Sequence, residues 1–238
     1  MKLLLSSFSC PGGRTVNQDY CASHILGDFS CFALADGLGG HPDGDTASKA
    51  AVEAILARFA HAPGLSPDTL RECLLAGQNS VLEAQKHIDM RTTAVALVIG
   101  KKGALWGHVG DSRLYFFRRG AIFMQTEDHS VPQAMVNAGA LHSRQIRGHE
   151  DRNRLLRSLG KEEDFRPTIL SNPHGLREGD AFLLCSDGFW EYVTETEMEI
   201  EIAKSDTPEK WLNGMERRIL TKAEPEHDNY SAIAVFVQ

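Results

Sequence analysis

The 238-residue sequence predicts an α/β sandwich, in which antiparallel sheets pack together and carry helices on their outer faces. Short apolar runs of strand character recur with short connections between them, as antiparallel sheets require. Long helical patterns arrive in pairs between blocks of strands, an arrangement that disfavours β-α-β alternation. Acidic residues in small turns abut several of the strand-like runs, which places carboxylates where a rigid sheet can converge them.

The first run, residues 3–9, has the apolar start of a secretory leader, but Ser6, Ser7 and Ser9 cut it short, so it reads as a strand. Strands are expected next at 20–26 and 31–35, followed by helices at 46–61 and 67–88 and strands at 92–99, 104–109 and 114–118. Ser66 before Pro67 is an N-cap followed by a proline at the first helical position, and Thr207 before Pro208 repeats that signal. Residues 128–160 are rich in Arg, His, Asn and Gln, with weak helical pattern only at 132–138 and 153–159. This stretch is too polar for a core and too ordered for a linker, so a surface flap is expected at about 131–160. Strands at 168–170 and 181–185, helices at 195–204 and 208–222 and a last strand at 231–237 complete a single domain over 1–238.

A formal charge of −7 gives no general attraction to nucleic acid or anionic lipid, and no run approaches the roughly 20 apolar residues of a membrane span. The five cysteines, Cys10, Cys21, Cys31, Cys73 and Cys185, are odd in number and lack Cys-x-x-Cys spacing, which fits a reducing compartment. A cytoplasmic monomer is therefore expected, with no nucleic acid and no membrane as partners.

Asp36, Asp111, Asp187 and Asp228 each sit in a turn containing Gly, Ser or Asn, and Asp19 follows another polar stretch beside a strand. Carboxylates crowded at one sheet end repel unless cations neutralise them, and an oxygen-only set selects hard ions such as Mg²⁺ or Mn²⁺ over zinc. Gly37 adds a backbone carbonyl to that set. Each turn also has a plain reading: Asp36 as a capping residue, Asp111 as the turn of a hairpin between 104–109 and 114–118. His41, in the loop Asp36-Gly37-Leu38-Gly39-Gly40-His41, is the candidate general acid, with His129 and His227 as rivals. Arg14 either captures phosphate or forms a salt bridge to Asp19, the reading its position favours.

Arg14-x-x-Asn17-Gln18-Asp19, Ala35-Asp36-Gly37-Leu38-Gly39-Gly40-His41, Thr92-Thr93-Ala94, Gly107-His108-Val109-Gly110-Asp111-Ser112-Arg113, Asp128-His129-Ser130, Leu184-Cys185-Ser186-Asp187-Gly188 and Asp228-Asn229 occur in this order along nearly the whole chain. As an ordered set they resemble the metal-dependent protein phosphatase family, type 2C, and its compact bacterial branch. The resemblance implies a four-layer α-β-β-α sandwich with two central antiparallel sheets flanked by helix pairs. It implies that Asp36 bridges two core ions, Mn²⁺ or Mg²⁺, that the Gly37 carbonyl coordinates, and that Asp187 and Asp228 hold the first ion. Asp19 would act on the second ion through water, and Asp111 with Asp187 on a weaker third. Arg14 would then hold the substrate phosphate and His41 would protonate the departing serine or threonine oxygen.

By the same resemblance the substrates are phosphorylated Ser/Thr proteins and the enzyme opposes a Ser/Thr protein kinase. Gln18 stands where many members of the family carry Glu, which weakens direct ligation of the second ion from that segment. His227 and Arg91 also depart from the residues common at their places, and neither removes an implied ligand. A two-metal phosphodiesterase and a phosphopeptide-binding regulator without turnover are the alternatives. The arginines between Arg144 and Arg157 suggest a preference for acidic or multiply phosphorylated targets.

Overall fold

The computed structural model describes residues 2–38, 43–85, 89–162 and 165–238. Strands β1 (Leu3–Cys10), β2 (Asp19–Leu26) and β3 (Phe29–Asp36) lead into helices α1 (Gly44–His61) and α2 (Pro67–Ala84). Strands β4 (Ala94–Gly100), β5 (Gly103–Val109), β6 (Arg113–Arg118) and β7 (Ala121–Gln125) follow, then helix α3 (Val131–Asn137) and a 3-10 helix, Ser143–Gly148. The last part holds β8 (Thr168–Ile169), β9 (Ala181–Cys185), α4 (Asp187–Trp190), α5 (Glu195–Ala203), α6 (Pro208–Lys222) and β10 (Tyr230–Val237).

Two five-stranded sheets form, in the orders β1-β10-β9-β6-β7 and β2-β3-β4-β5-β8, and all their pairings are antiparallel. Strand alternation sorts the side chains into three core layers. Phe32, Leu34, Val95, Leu97 and Trp106 from one sheet meet Phe116, Phe182, Leu184, Ile233 and Val235 from the other. The opposite face of the first sheet offers Cys31, Ala33, Ala35 and Ala96 to Ile55, Phe59 and Leu74 of α1 and α2. The opposite face of the second offers Tyr115, Leu183, Ala232 and Ala234 to Met198, Trp211 and Met215 of α5 and α6. Large side chains fill the gap between the sheets and small ones admit the helices. Each fully buried Leu or Phe stabilises this arrangement by roughly 1.5–3 kcal/mol. The expected four-layer α-β-β-α sandwich is thus the observed architecture.

The marked helix starts hold: the Ser66 hydroxyl accepts from the Thr69 amide at 3.1 Å and Thr207 accepts from Lys210 at 3.3 Å. Four local expectations change. Residues 121–125 form an edge strand that the sequence reading left unassigned, with alternating exposed and half-buried residues. Residues 153–159 are not helical; Leu155 bridges Ser130 and Leu159 bridges Thr92 in extended pairings, so tertiary pairing overrides the helical propensity of the leucines. The helix expected to reach 88 ends at Ala84, and residues 86–88 lie outside the described set. The stretch 109–113 is no hairpin, because β5 and β6 belong to different sheets and the turn carries the chain from one to the other.

That crossing matters for placement. Asp36 ends β3, Asp111 sits in the crossover between sheets, Asp187 opens α4 after β9, and Asp228 precedes β10. All four lie where the two sheets open at one end of the sandwich.

Candidate active site

Asp19 and Asp36 are direct cross-strand partners at the ends of β2 and β3, so two carboxylates from one sheet begin as neighbours. The backbone of Asp36 is fixed independently of its side chain: its amide donates to the Thr93 hydroxyl at 3.0 Å, and its carbonyl accepts from the Thr93 amide and the Thr92 hydroxyl, each at 2.8 Å. The Thr93 hydroxyl also bonds Ser112 at 2.6 Å, tying the Asp36 strand to the Asp111 crossover. From the second sheet, the start of α4 is pressed against the approach to β10: a Cβ on Gly188 would lie 2.2 Å from the Asn229 carbonyl oxygen, so only glycine permits this approach. Asn229 anchors the loop before β2, donating to the carbonyls of Pro11 at 2.8 Å and Val16 at 3.0 Å while accepting from the Gln18 amide at 2.8 Å.

A cavity of about 370 Å³ results, lined by Asp36, Gly37, Leu38, Asp111, Asp187 and Asp228 together with Arg91, residues 153–158 and Lys161. Asp19 stands behind Asp36, where Ser186 donates to its Oδ2 at 2.7 Å and its Oδ1 is buried with no hydrogen-bond partner. Burial pushes the Asp19 carboxyl up to about 7 against the pull of Ser186, with the charges of Asp187 and Asp228 adding to the rise. Burial also holds Asp36 well above the ordinary carboxylate range, reinforced by Asp19, Asp187 and Asp111 and by a hydrogen bond shared with Asp187. Asp111 is raised by burial and by Asp187 and Asp128, with Arg113 opposing; Asp187 is raised by burial and by Asp228.

This donor set fits hard divalent cations. It is all oxygen, carries excess negative charge into low dielectric, and leaves a buried carboxylate oxygen unpaired. Among the described residues no three acidic, histidine or cysteine side chains form a closed cage, so the fold supplies donors around a shared cavity rather than a finished shell.

Arg14 lies at the edge of this cluster, its Nη2 donating to Asp228 Oδ2 at 3.5 Å with Nε 3.4 Å from Oδ1. Its side chain remains half exposed, so the fork faces outward while restrained. The salt bridge expected with Asp19 is made with Asp228 instead, and Asp19 is buried with Ser186 as its side-chain partner. His41 lies outside the described residues, as do 39, 40 and 42. Its rivals are committed elsewhere: His129 Nδ1 accepts from the Gly110 amide at 3.2 Å, its Nε2 bonds Thr168 at 2.8 Å, and His227 Nδ1 bonds the Glu224 carbonyl at 2.6 Å. Burial, then His108 and Arg157, lower His129 to about 3, which suits a neutral structural imidazole.

The model of the protein phosphatase 2C family matches residues 9–223 of the chain. The chain belongs to the protein phosphatase 2C family. A serine/threonine phosphatase stp of Listeria welshimeri is 34% identical over 181 residues, covering 72% of this chain and 71% of that protein. The solved serine/threonine phosphatase Stp1 of Staphylococcus aureus superposes with a TM-score of 0.88 at 25% identity, covering 100% of this chain and 96% of that one. The catalytic domain of the phosphatase PstP, solved in complex with two manganese ions, superposes with a TM-score of 0.80 at 25% identity over 99% of both chains.

Within this protein phosphatase 2C frame, several residues that the sequence assigns no role support the site. Ser186 links Asp19 to β10, since its hydroxyl also accepts from the Ser231 amide at 2.9 Å. Trp190 donates from Nε1 to the Asp111 carbonyl at 2.9 Å. Two flap arginines are engaged internally: Arg147 with Glu195 at 3.0 Å and Arg152 with Glu191 at 2.6 Å. Their pairing leaves them poorly placed to select acidic targets, contrary to the sequence-based expectation. Arg154 is the more available cation on this wall, 4.0 Å from Asp151 with a largely exposed side chain.

Proposed function

We propose that this chain hydrolyses phosphoserine and phosphothreonine on proteins, a metal-dependent phosphatase that opposes a bacterial Ser/Thr protein kinase. The observation that carries this reading is the convergence of Asp36, Asp111, Asp187 and Asp228 on one cavity that Arg91, Arg154, Arg157 and Lys161 also line. Two core cations, Mn²⁺ or Mg²⁺, would be held by Asp36, the Gly37 carbonyl, Asp187 and Asp228, with Asp19 acting from behind and Asp111 with Asp187 holding a weaker third. Bound there, such ions supply Lewis acidity toward the phosphoryl oxygens and lower the pKa of an attacking water.

The chain's own groups do the rest. Arg14, pulled toward the cluster by Asp228, presents its planar fork to phosphate oxygens. Thr92 and Thr93 hold the Asp36 backbone, so its carboxylate keeps its aim without reorganisation during the reaction. His41 is the proposed proton donor to the departing alkoxide. The segment 131–160 forms the flap, and its return, residues 153–158, forms a cavity wall on which Arg154 and Leu156 meet the peptide around the phosphorylated residue. All five cysteines are free, which supports placement in a reducing compartment, the cytoplasm. None of the described helices is long and apolar enough to cross a membrane.

The distinguishing experiment compares a phosphothreonine peptide with a bis-aryl phosphodiester at equal Mn²⁺. The peptide is expected to turn over at least about a hundredfold more efficiently. Preference for the diester would transfer the site to phosphodiester chemistry, and peptide binding without turnover would make the chain a phosphopeptide-binding regulator.

A further inference from the structure

Arg113, two residues along the chain from Asp111 and with a side chain 5% exposed, carries a charge that acts against the effect of burial on Asp111. Its guanidinium forms a two-bond fork on Asp128, Nε to Oδ1 at 2.8 Å and Nη2 to Oδ2 at 2.8 Å. Nη1 donates to the Tyr115 hydroxyl at 3.0 Å, and the guanidinium carbon lies 3.7 Å from the centre of the Trp190 ring. Trp190 in turn holds the Asp111 carbonyl. Next to Asp128, the His129 amide donates to the Gly110 carbonyl at 2.9 Å while the Gly110 amide donates back to His129 Nδ1 at 3.2 Å. The chain then enters the flap, whose return is stitched to the same point: Leu156 donates to the His129 carbonyl at 2.8 Å and Val131 to the Arg154 carbonyl at 2.9 Å.

A buried ion pair of this kind is poor value as a stabiliser, because desolvating both charges offsets most of their attraction. Its worth lies in geometry: the planar fork admits one orientation, and the stacked indole fixes the plane. Without it, Asp128 would add an uncompensated charge to those acting on Asp111.

We propose that Arg113 is a positioning residue, which through Asp128 and Trp190 holds the Asp111 carboxylate at the cavity and links its placement to the base of the flap. The inference rests on the reading of Asp111 as a cation ligand given under Proposed function. It makes the affinity of the Asp111 site depend on a side chain that faces away from the cavity.

Calorimetric titration of the whole chain with Mn²⁺ alone tests this, using Arg113→Lys, which keeps the charge and loses the fork, and Asp128→Asn, which keeps the shape and loses the charge. Both variants are expected to retain cooperative thermal unfolding and the tighter Mn²⁺ binding, while the weaker event, identified by its loss in Asp111→Asn, is weakened about tenfold. Arg113→Lys added to Asp111→Asn is expected to lower kcat no further, since coupled residues are non-additive. Unchanged weak-site affinity in both folded variants, or additive losses in the double variant, would overturn the proposal. Absence of any Mn²⁺ binding by the unaltered chain would instead remove the cation reading beneath it, so the two failures are distinguishable.

Discussion

Asp36→Asn is expected to lower phosphopeptide turnover at least about a thousandfold while leaving the protein folded and, in chelator, more heat-resistant than the unaltered chain. The first effect follows from the loss of the central carboxylate of the cluster, and a thousandfold corresponds to about 4 kcal/mol of transition-state stabilisation. The second follows from burial and from the repulsion of Asp19, Asp187 and Asp111, which together hold the Asp36 carboxyl far above its ordinary range. An amide is neutral without taking up a proton, so it removes the cost of keeping this carboxyl protonated above about pH 4, and the backbone bonds to Thr92 and Thr93 do not involve the side chain. Turnover within tenfold of the unaltered enzyme, or a midpoint lowered in chelator, would contradict this role. Stability and activity are opposed at this residue because the fold pays a cost to gather charge where cations can use it.

The same crowding predicts how stability responds to pH. Asp19, Asp36, Asp111 and Asp187 all have raised carboxyls. The folded chain therefore retains protons that the unfolded chain has released. The stability these groups contribute is complete below the unfolded carboxylate value near 4 and is lost as pH rises through the folded value, about 7 for Asp19. Divalent cations replace the lost protons and reverse the loss. The gap in unfolding midpoint between Mg²⁺-loaded and chelated protein is thus expected to widen from pH 5 to pH 8, reaching roughly 10 °C or more. His108 and His129 are both lowered, so they contribute stability that is lost on acidification, but they do so with and without cation and drop out of the gap. Differential scanning calorimetry at matched ionic strength measures it directly. A gap that stays flat or narrows with rising pH would show that the carboxylates are compensated within the fold.

The sequence displays the architecture and the acidic set for a physical reason. Short apolar runs such as 31–35 and 231–237 and proline-marked helix starts at 66–67 and 207–208 are local signals, and each strand-end aspartate is adjacent to one of the apolar runs. What is not local stays hidden. The turn at Asp111 carries the signature of a hairpin, and only the pairing of β5 and β6 with different strands turns it into a crossover between sheets. Arg14 lies three residues from Asn17 and five from Asp19 in sequence, yet its partner is Asp228, more than two hundred residues away. Asp128 and Ser186 stand in recognisable motifs and Trp190 in none, yet sequence assigns no role to any of the three, because their contacts are made only on folding. The leucines of 153–159 follow a weak helical spacing, but their pairing with Ser130 and Thr92 draws that stretch into extended wall rather than helix.

Release of inorganic phosphate from a phosphothreonine peptide, measured with Mn²⁺, after chelation and after Mn²⁺ is restored, tests the central claim most directly. Turnover that requires the cation, vanishes on chelation and returns on its restoration is the expected result. Turnover that survives complete chelation, or folded protein that releases no phosphate at any Mn²⁺ or Mg²⁺ concentration, would contradict it.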